Sequence, residues 1–120
     1  MSKILIIDDE KDLVEMMTMR LTAMGYDIVG AGNGEEGISL ARQAAPDLIL
    51  LDIMMPGIDG YETLKRLKQE AKTKAIPVVM LTAVGKPDAV SRSLEGGASD
   101  YISKPFEPKT LLEKIRKALK

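Results

Sequence analysis

The sequence predicts an α/β protein, an open, doubly wound parallel sheet with helices on both faces. Three observations point there. First, three uninterrupted aliphatic runs, Ile4–Ile7, Leu48–Leu51 and Val78–Leu81, lack the alternation of a half-exposed strand, and so suit strands covered on both faces. Second, between these runs apolar residues recur every three or four positions, the spacing of amphipathic helices. Third, the connections are short, and a strand–helix alternation of that kind folds back onto one parallel sheet.

Taken in order, the elements each have a local reason. Ile4–Ile7 is the first strand. Val14, Met17, Leu21 and Met24 make the stripe of the first helix, and Gly25 supplies its stop. Asp27–Ala31 is shorter and more polar, as an edge strand should be. Asn33 and Glu36 have capping-box spacing before Ile38, Leu40 and Ala41, although Gly34 and Gly37 lower the helix propensity there. Leu48–Leu51 is the third strand. Asp59 and Glu62 repeat the capping device before Leu64, Leu67 and Ala71. Val78–Leu81 is the fourth strand, and Pro87-Asp88 opens a short helix ending near Gly96-Gly97. Asp100–Ser103 reads as the second edge strand. Leu111, Leu112, Ile115 and Leu119 form the last helical stripe, with Lys and Arg crowding the end where the helix dipole favours cations. The 120 residues hold no repeat, low-complexity tract or linker, so one domain, 1–120, is expected. Periodicity does not fix the strand order.

Composition narrows the chemistry. There is no cysteine, which removes disulfides, thiolate nucleophiles and thiolate metal sites. There is no histidine, which removes Ser-His catalysis, imidazole ligands and any role as a phosphohistidine donor. Seventeen basic and eighteen acidic side chains give net −1, no bulk attraction for nucleic acid or anionic membrane. Aromatics are 3% of the chain with no Trp, too few for a base-stacking platform. No apolar run approaches the roughly 20 residues of a membrane span, and Met-Ser-Lys before a four-residue aliphatic run is not a signal peptide. The expectation is a cytoplasmic protein without membrane insertion or direct nucleic-acid contact. Its chemistry must come from carboxylates, hydroxyls and lysines.

Those groups follow the strands. Asp8-Asp9 come after the first aliphatic run, Asp52 after the third, Thr82 after the fourth, and Lys104-Pro105 after the fifth strand. In open α/β sheets, ligands bind outside the carboxyl ends of the strands. Each residue alone has an ordinary explanation. Asp8 or Asp9 could cap a helix, Asp52 could cap the turn before Pro56-Gly57, Thr82 could be a turn residue, and Lys104 a solvated charge. Their convergence on one end of one sheet favours a site. No Gly-rich phosphate loop follows the first strand.

Three clustered carboxylates repel one another, which raises their apparent pKa values unless a cation neutralises them. Oxygen ligands without nitrogen or sulfur suit Mg²⁺ or Mn²⁺. With one such ion and the Lys104 ammonium, the formal charge of the three acids is cancelled.

At these residues the chain resembles the receiver domain of two-component response regulators, and the resemblance runs its whole length. The pattern is Ile6-Ile7-Asp8-Asp9-Glu10, then Leu50-Leu51-Asp52-Ile53-Met54-Met55-Pro56-Gly57-Ile58-Asp59-Gly60. Leu81-Thr82-Ala83 follows, and then Gly97-Ala98-Ser99-Asp100-Tyr101-Ile102-Ser103-Lys104-Pro105-Phe106. The resemblance implies a flavodoxin-like strand order 2-1-3-4-5. It implies that Asp52 accepts a phosphoryl group from a histidine kinase or histidine phosphotransfer protein. Asp8, Asp9, Asp52 and the backbone carbonyl of Met54 match the Mg²⁺ ligands, one of the acidic pair acting directly or through water. Thr82 and Lys104 match the partners of the phosphoryl oxygens, and Tyr101 the aromatic that reports the switch. The implied output surface for a downstream protein is the fourth helix, fifth strand and fifth helix. Lys104-Pro105 is a cis candidate, since only X–Pro amides tolerate cis readily. Met54 and Val84 flank the in-line approach of water by the same match; neither bonds water strongly, so slow self-dephosphorylation is expected.

Three other readings are weaker. A haloacid-dehalogenase-type phosphatase needs an acid two residues after its nucleophile, where this chain has Met54. A flavodoxin-like electron carrier needs a phosphate-binding loop where this chain has Asp8-Asp9. A degenerate receiver would lack one of the matching acids, the threonine or the lysine, and all are present. A stand-alone regulator and a domain of a longer one would share this sequence.

Overall fold

The alternation of inward and outward side chains along each central strand decides how the layers assemble. In the computed structural model, which describes residues 2–83 and 87–120, the element order is β1 (Lys3–Ile7), α1 (Lys11–Ala23), β2 (Asp27–Ala31), α2 (Gly34–Ala44) and β3 (Leu48–Asp52). It continues with α3 (Gly60–Gln69), β4 (Val78–Ala83), α4 (Pro87–Glu95), β5 (Asp100–Lys104) and α5 (Pro108–Ala118). All four pairings are parallel and the order is β2-β1-β3-β4-β5. This is the doubly wound sheet expected.

The aliphatic runs serve two cores at once. Leu5, Ile7, Ile49, Leu51, Val78 and Met80 face one cluster with Ile38 and Ala41 of α2 and Leu64 and Leu67 of α3. Ile4, Ile6, Leu48, Leu50, Val79 and Leu81 face the other, with Met17 and Leu21 of α1 and Leu111 and Ile115 of α5. Every residue of the three runs is fully buried. Successive side chains of a strand point to opposite faces, so a strand sandwiched between helix layers has no position left for a polar residue.

The glycines that weaken α2 on propensity are there for close packing. A Cβ on Gly37 would come within 2.4 Å of Ile7 Cδ1, and one on Gly34 within 2.2 Å of Thr63 Oγ1. The Asn33 side chain accepts from Glu36 N–H at 2.9 Å, and Asp59 from Glu62 N–H at 2.9 Å, so both expected N-caps form. The reciprocal arm differs: Glu36 takes the N–H of Gly32. Gly25 stops α1 with φ +95°. The Lys104–Pro105 peptide is cis. No described helix is long and apolar enough to cross a membrane.

One boundary differs in a useful way. Asp52 and Lys104 are the last residues of β3 and β5, and Thr82 is the last but one of β4, all inside the ladder rather than in the loops after it. Asp52 pairs in register with Leu81, Thr82 with Ser103, and Ala83 with Lys104.

Candidate functional site

The carboxyl edge of the sheet is where the strand pattern stops being apolar. Leu51 is fully buried, and the next residue, Asp52, is still only 4% exposed. Asp8, one residue past β1, is 2% exposed. Neither Asp8 nor Asp9 is the N-cap of α1; Glu10 holds that position and makes no side-chain cap bond. The Asp8 Oδ1 accepts the Glu10 N–H at 2.9 Å, which fixes the turn into α1.

Lys104 joins the acids. Its Nζ donates to Asp8 Oδ2 at 2.9 Å and to Glu10 Oε1 at 2.9 Å, and lies 3.2 Å from Asp52 Oδ1. Carboxylate oxygens of Asp8, Glu10 and Asp52 all lie within 4.8 Å of one another. Asp9 is exposed and stands outside that group. Asp8 and Glu10 flank the bend at Asp9, and the Glu10 N–H to Asp8 Oδ1 bond holds the two residues together. That i, i+2 relation was the available signal for Glu10, which sequence reasoning assigned no role.

The electrostatics follow from burial. Loss of solvent, then the charge of Asp8, raises the Asp52 pKa from 3.8 to about 6, against the opposing effects of Lys104 and the Met54 backbone N–H. Burial alone would lower Lys104, but its hydrogen bonds to Asp8 and Glu10 outweigh this and leave it firmly protonated. The site therefore carries surplus negative charge in an all-oxygen donor set, the chemistry that hard divalent cations bind.

Thr82 supplies the other irregularity. It is 1% exposed, and its Oγ1 has no hydrogen-bond partner among the described residues. A buried unpaired hydroxyl costs about 1–3 kcal/mol, so an acceptor brought to this edge would be favoured. A cleft of about 480 Å³ opens beside these groups, lined by Asp52, Lys104, Glu10 and Ala83 with Leu13, Met16 and Phe106. The Met54 side chain is 76% exposed at its rim, while Val84 lies outside the described residues.

Gly60, which sequence reasoning also left without a role, sets the acceptor loop. Its N–H donates to Ile53 O at 2.8 Å, and a Cβ there would sit 2.4 Å from Asp52 O. Tyr101 lies apart from the acids, half-buried on β5, its ring 5.0 Å from Lys114 Nζ. Lys114 also pairs with Asp100 at 2.8 Å.

A 2-1-3-4-5 parallel sheet with acids, a hydroxyl and an ammonium at its carboxyl edge defines the receiver class of signalling module. The chain belongs to the response regulator receiver domain family, whose model matches residues 4–116. It is 43% identical over 117 residues to the phosphate regulon transcriptional regulatory protein PhoB of Pseudomonas aeruginosa, covering 98% of this chain and 51% of that protein. It is 40% identical over 120 residues to the DNA-binding dual master transcriptional regulator RpaA of Synechocystis, covering all of this chain and 50% of that one. The chain thus spans about half the length of the curated relatives it matches. Among solved structures it is similar to the chemotaxis protein CheY4 of Vibrio cholerae, with TM-score 0.93, 32% identity and 99% of each chain covered. It is similar as well to the signal receiver domain of a histidine kinase from Syntrophus aciditrophicus, with TM-score 0.90, 35% identity, and 99% and 90% covered.

Proposed function

We propose that this chain is a phosphoacceptor receiver domain, residues 1–120, that takes a phosphoryl group on Asp52 and thereby changes a protein-binding face. The observation that carries the reading is the Thr82 hydroxyl, buried and without a partner among the described residues, at the same sheet edge where Asp52 and Lys104 meet. A phosphoryl group on Asp52 brings acceptor oxygens to that edge.

In the transfer, a carboxylate oxygen of Asp52 attacks phosphorus, and the bond from phosphorus to the donor nitrogen breaks. The electron pair stays on the donor imidazole. The chain has no histidine, so the donor imidazole lies outside these residues, on a histidine kinase or a histidine phosphotransfer protein. Such a transition state needs alignment and positive charge more than covalent help. Lys104 supplies one charge, and Thr82 a neutral donor. Mg²⁺ would be held by Asp8, Asp9, Asp52 and the Met54 carbonyl, one of the acidic pair through water, and would supply further positive charge to the phosphoryl oxygens. In the resting molecule the elevated pKa keeps Asp52 only partly protonated at neutral pH, so most copies hold the nucleophilic carboxylate.

The output face is α4, β5 and α5, where Tyr101, Lys114 and Asp100 already interact. Drawing Thr82 toward a phosphoryl oxygen biases Tyr101 between pre-existing positions. The experiment is labelling with acetyl phosphate. Wild type with Mg²⁺ gains one phosphate by intact mass, and Asp52→Ala or excess chelator gives none. A label that survives either treatment refutes the reading.

A further inference from the structure

An ammonium has three N–H donors, and Lys104 meets three carboxylates: Asp8 at 2.9 Å, Glu10 at 2.9 Å and Asp52 at 3.2 Å. Two of the donors are hydrogen-bonded, to Asp8 and Glu10, and only the third is left toward Asp52, where a phosphoryl group would sit. A phosphoryl group that draws a second donor displaces one of the partners, and the partners are unequal. The Asp8 side chain is 0% exposed and that of Asp52 is 6%, whereas that of Glu10 is 60%. Breaking a buried pair strands a desolvated charge, but an exposed carboxylate returns to water at little cost. Glu10 also makes no cap bond to α1, so its departure leaves the helix unchanged.

We infer that Glu10 is a positioning residue, a built-in competitor that occupies Lys104 until a phosphoryl oxygen displaces it. Its carboxylate holds one of the two engaged donors, and its negative charge opposes the incoming phosphoryl group. Both effects lower affinity for the modified state, so Glu10 sets how readily the domain is driven into that state. The inference rests on the phosphoacceptor reading and adds a residue of this chain to it.

The test is beryllofluoride binding at saturating Mg²⁺, followed by amide chemical shifts in the wild type and in Glu10→Gln, with Mg²⁺ affinity measured separately on each. An exposed pair of this kind contributes up to about 1 kcal/mol, so the variant should bind beryllofluoride roughly two- to fivefold more tightly. Mg²⁺ affinity should change by less than about twofold. The gap between the proteins should narrow at high salt, because exposed pairs are screened, a response that a packing defect would not give. Equal or weaker beryllofluoride binding by Glu10→Gln overturns the inference. So does a loss of Mg²⁺ affinity of tenfold or more, which would make Glu10 a metal ligand instead. A wild type that binds no beryllofluoride refutes the phosphoacceptor reading itself, and the inference with it.

Discussion

Leu50 and Asp52 lie on the same strand, two residues apart, and are 0% and 4% exposed. Burial stabilises the first and penalises the second. In the middle of β3 the apolar side chains fill two cores, and each contributes the transfer free energy of its buried surface. At the carboxyl end the same backbone carries an acid whose charged form is disfavoured by lost solvent and by Asp8. On the neighbouring strand, Thr82 adds to that edge a hydroxyl with no partner among the described residues. The sheet interior is organised for stability, and its carboxyl edge gives some of that stability up. The difference teaches where to look for function in a parallel sheet: at the last rung, where burial continues after hydrophobicity ends.

The largest expected effect comes from the interior. Leu50→Ala should destabilise the protein by about 2–5 kcal/mol, the usual cost of a cavity in a closed core. Urea unfolding measures it, and Asp52 should still be labelled under conditions where the variant is folded.

The edge should respond in the opposite direction. A carboxyl whose folded pKa is raised binds more protons folded than unfolded, so stability falls as pH rises. For Asp52 the favourable contribution is whole below about 3.8 and is lost as pH rises through about 6. A difference of that size corresponds to about 3 kcal/mol, partly offset in the substitution because Lys104 loses a partner. Asp52→Asn should therefore stabilise the metal-free protein by about 1–3 kcal/mol at pH 7.5. It should also flatten the pH dependence of its urea midpoint between pH 4 and 6. A midpoint lower than wild type at pH 7.5 would break the comparison.

Backbone packing separates the two regions further. A Cβ at Gly60 meets the Asp52 and Ile53 backbone at 2.4 and 2.6 Å, and backbone cannot step aside as a side chain can. Gly60→Ala should cost about 1–3 kcal/mol by overpacking. It should slow labelling of the fraction that stays folded, because it moves the acceptor itself.

The smallest effect belongs to Thr82. Thr82→Val keeps the shape and removes the unpaired hydroxyl, so thermal unfolding should show a gain of about 1 kcal/mol. The Tyr101 chemical-shift response to beryllofluoride should shrink at the same time.

How much of this was legible beforehand follows the same division. The aliphatic runs announced the interior strands because burial on both faces leaves no alternation to misread. Strand order left no trace in periodicity, since β1 and β3 look alike wherever they sit, and it came only with the family pattern. Asp52, Thr82 and Lys104 were legible as polar residues interrupting apolar runs. Which acids after β1 face Lys104 was not: side-chain direction there depends on the final rung of the strand, and Asp8 and Glu10 group with Asp52 while Asp9 stays exposed. Gly34 and Gly37 misled on helix propensity for a tertiary reason, the approach of Thr63 and Ile7.

The most direct test of the central claim locates the phosphoryl group chemically. Borohydride reduces an aspartyl-phosphate to homoserine, which peptide mass spectrometry assigns to a position. After treatment with acetyl phosphate and Mg²⁺, the account predicts homoserine at position 52, dependent on Mg²⁺ and absent without donor. Homoserine at position 8 or 9 instead, or a phosphorylated protein that yields none, would contradict it.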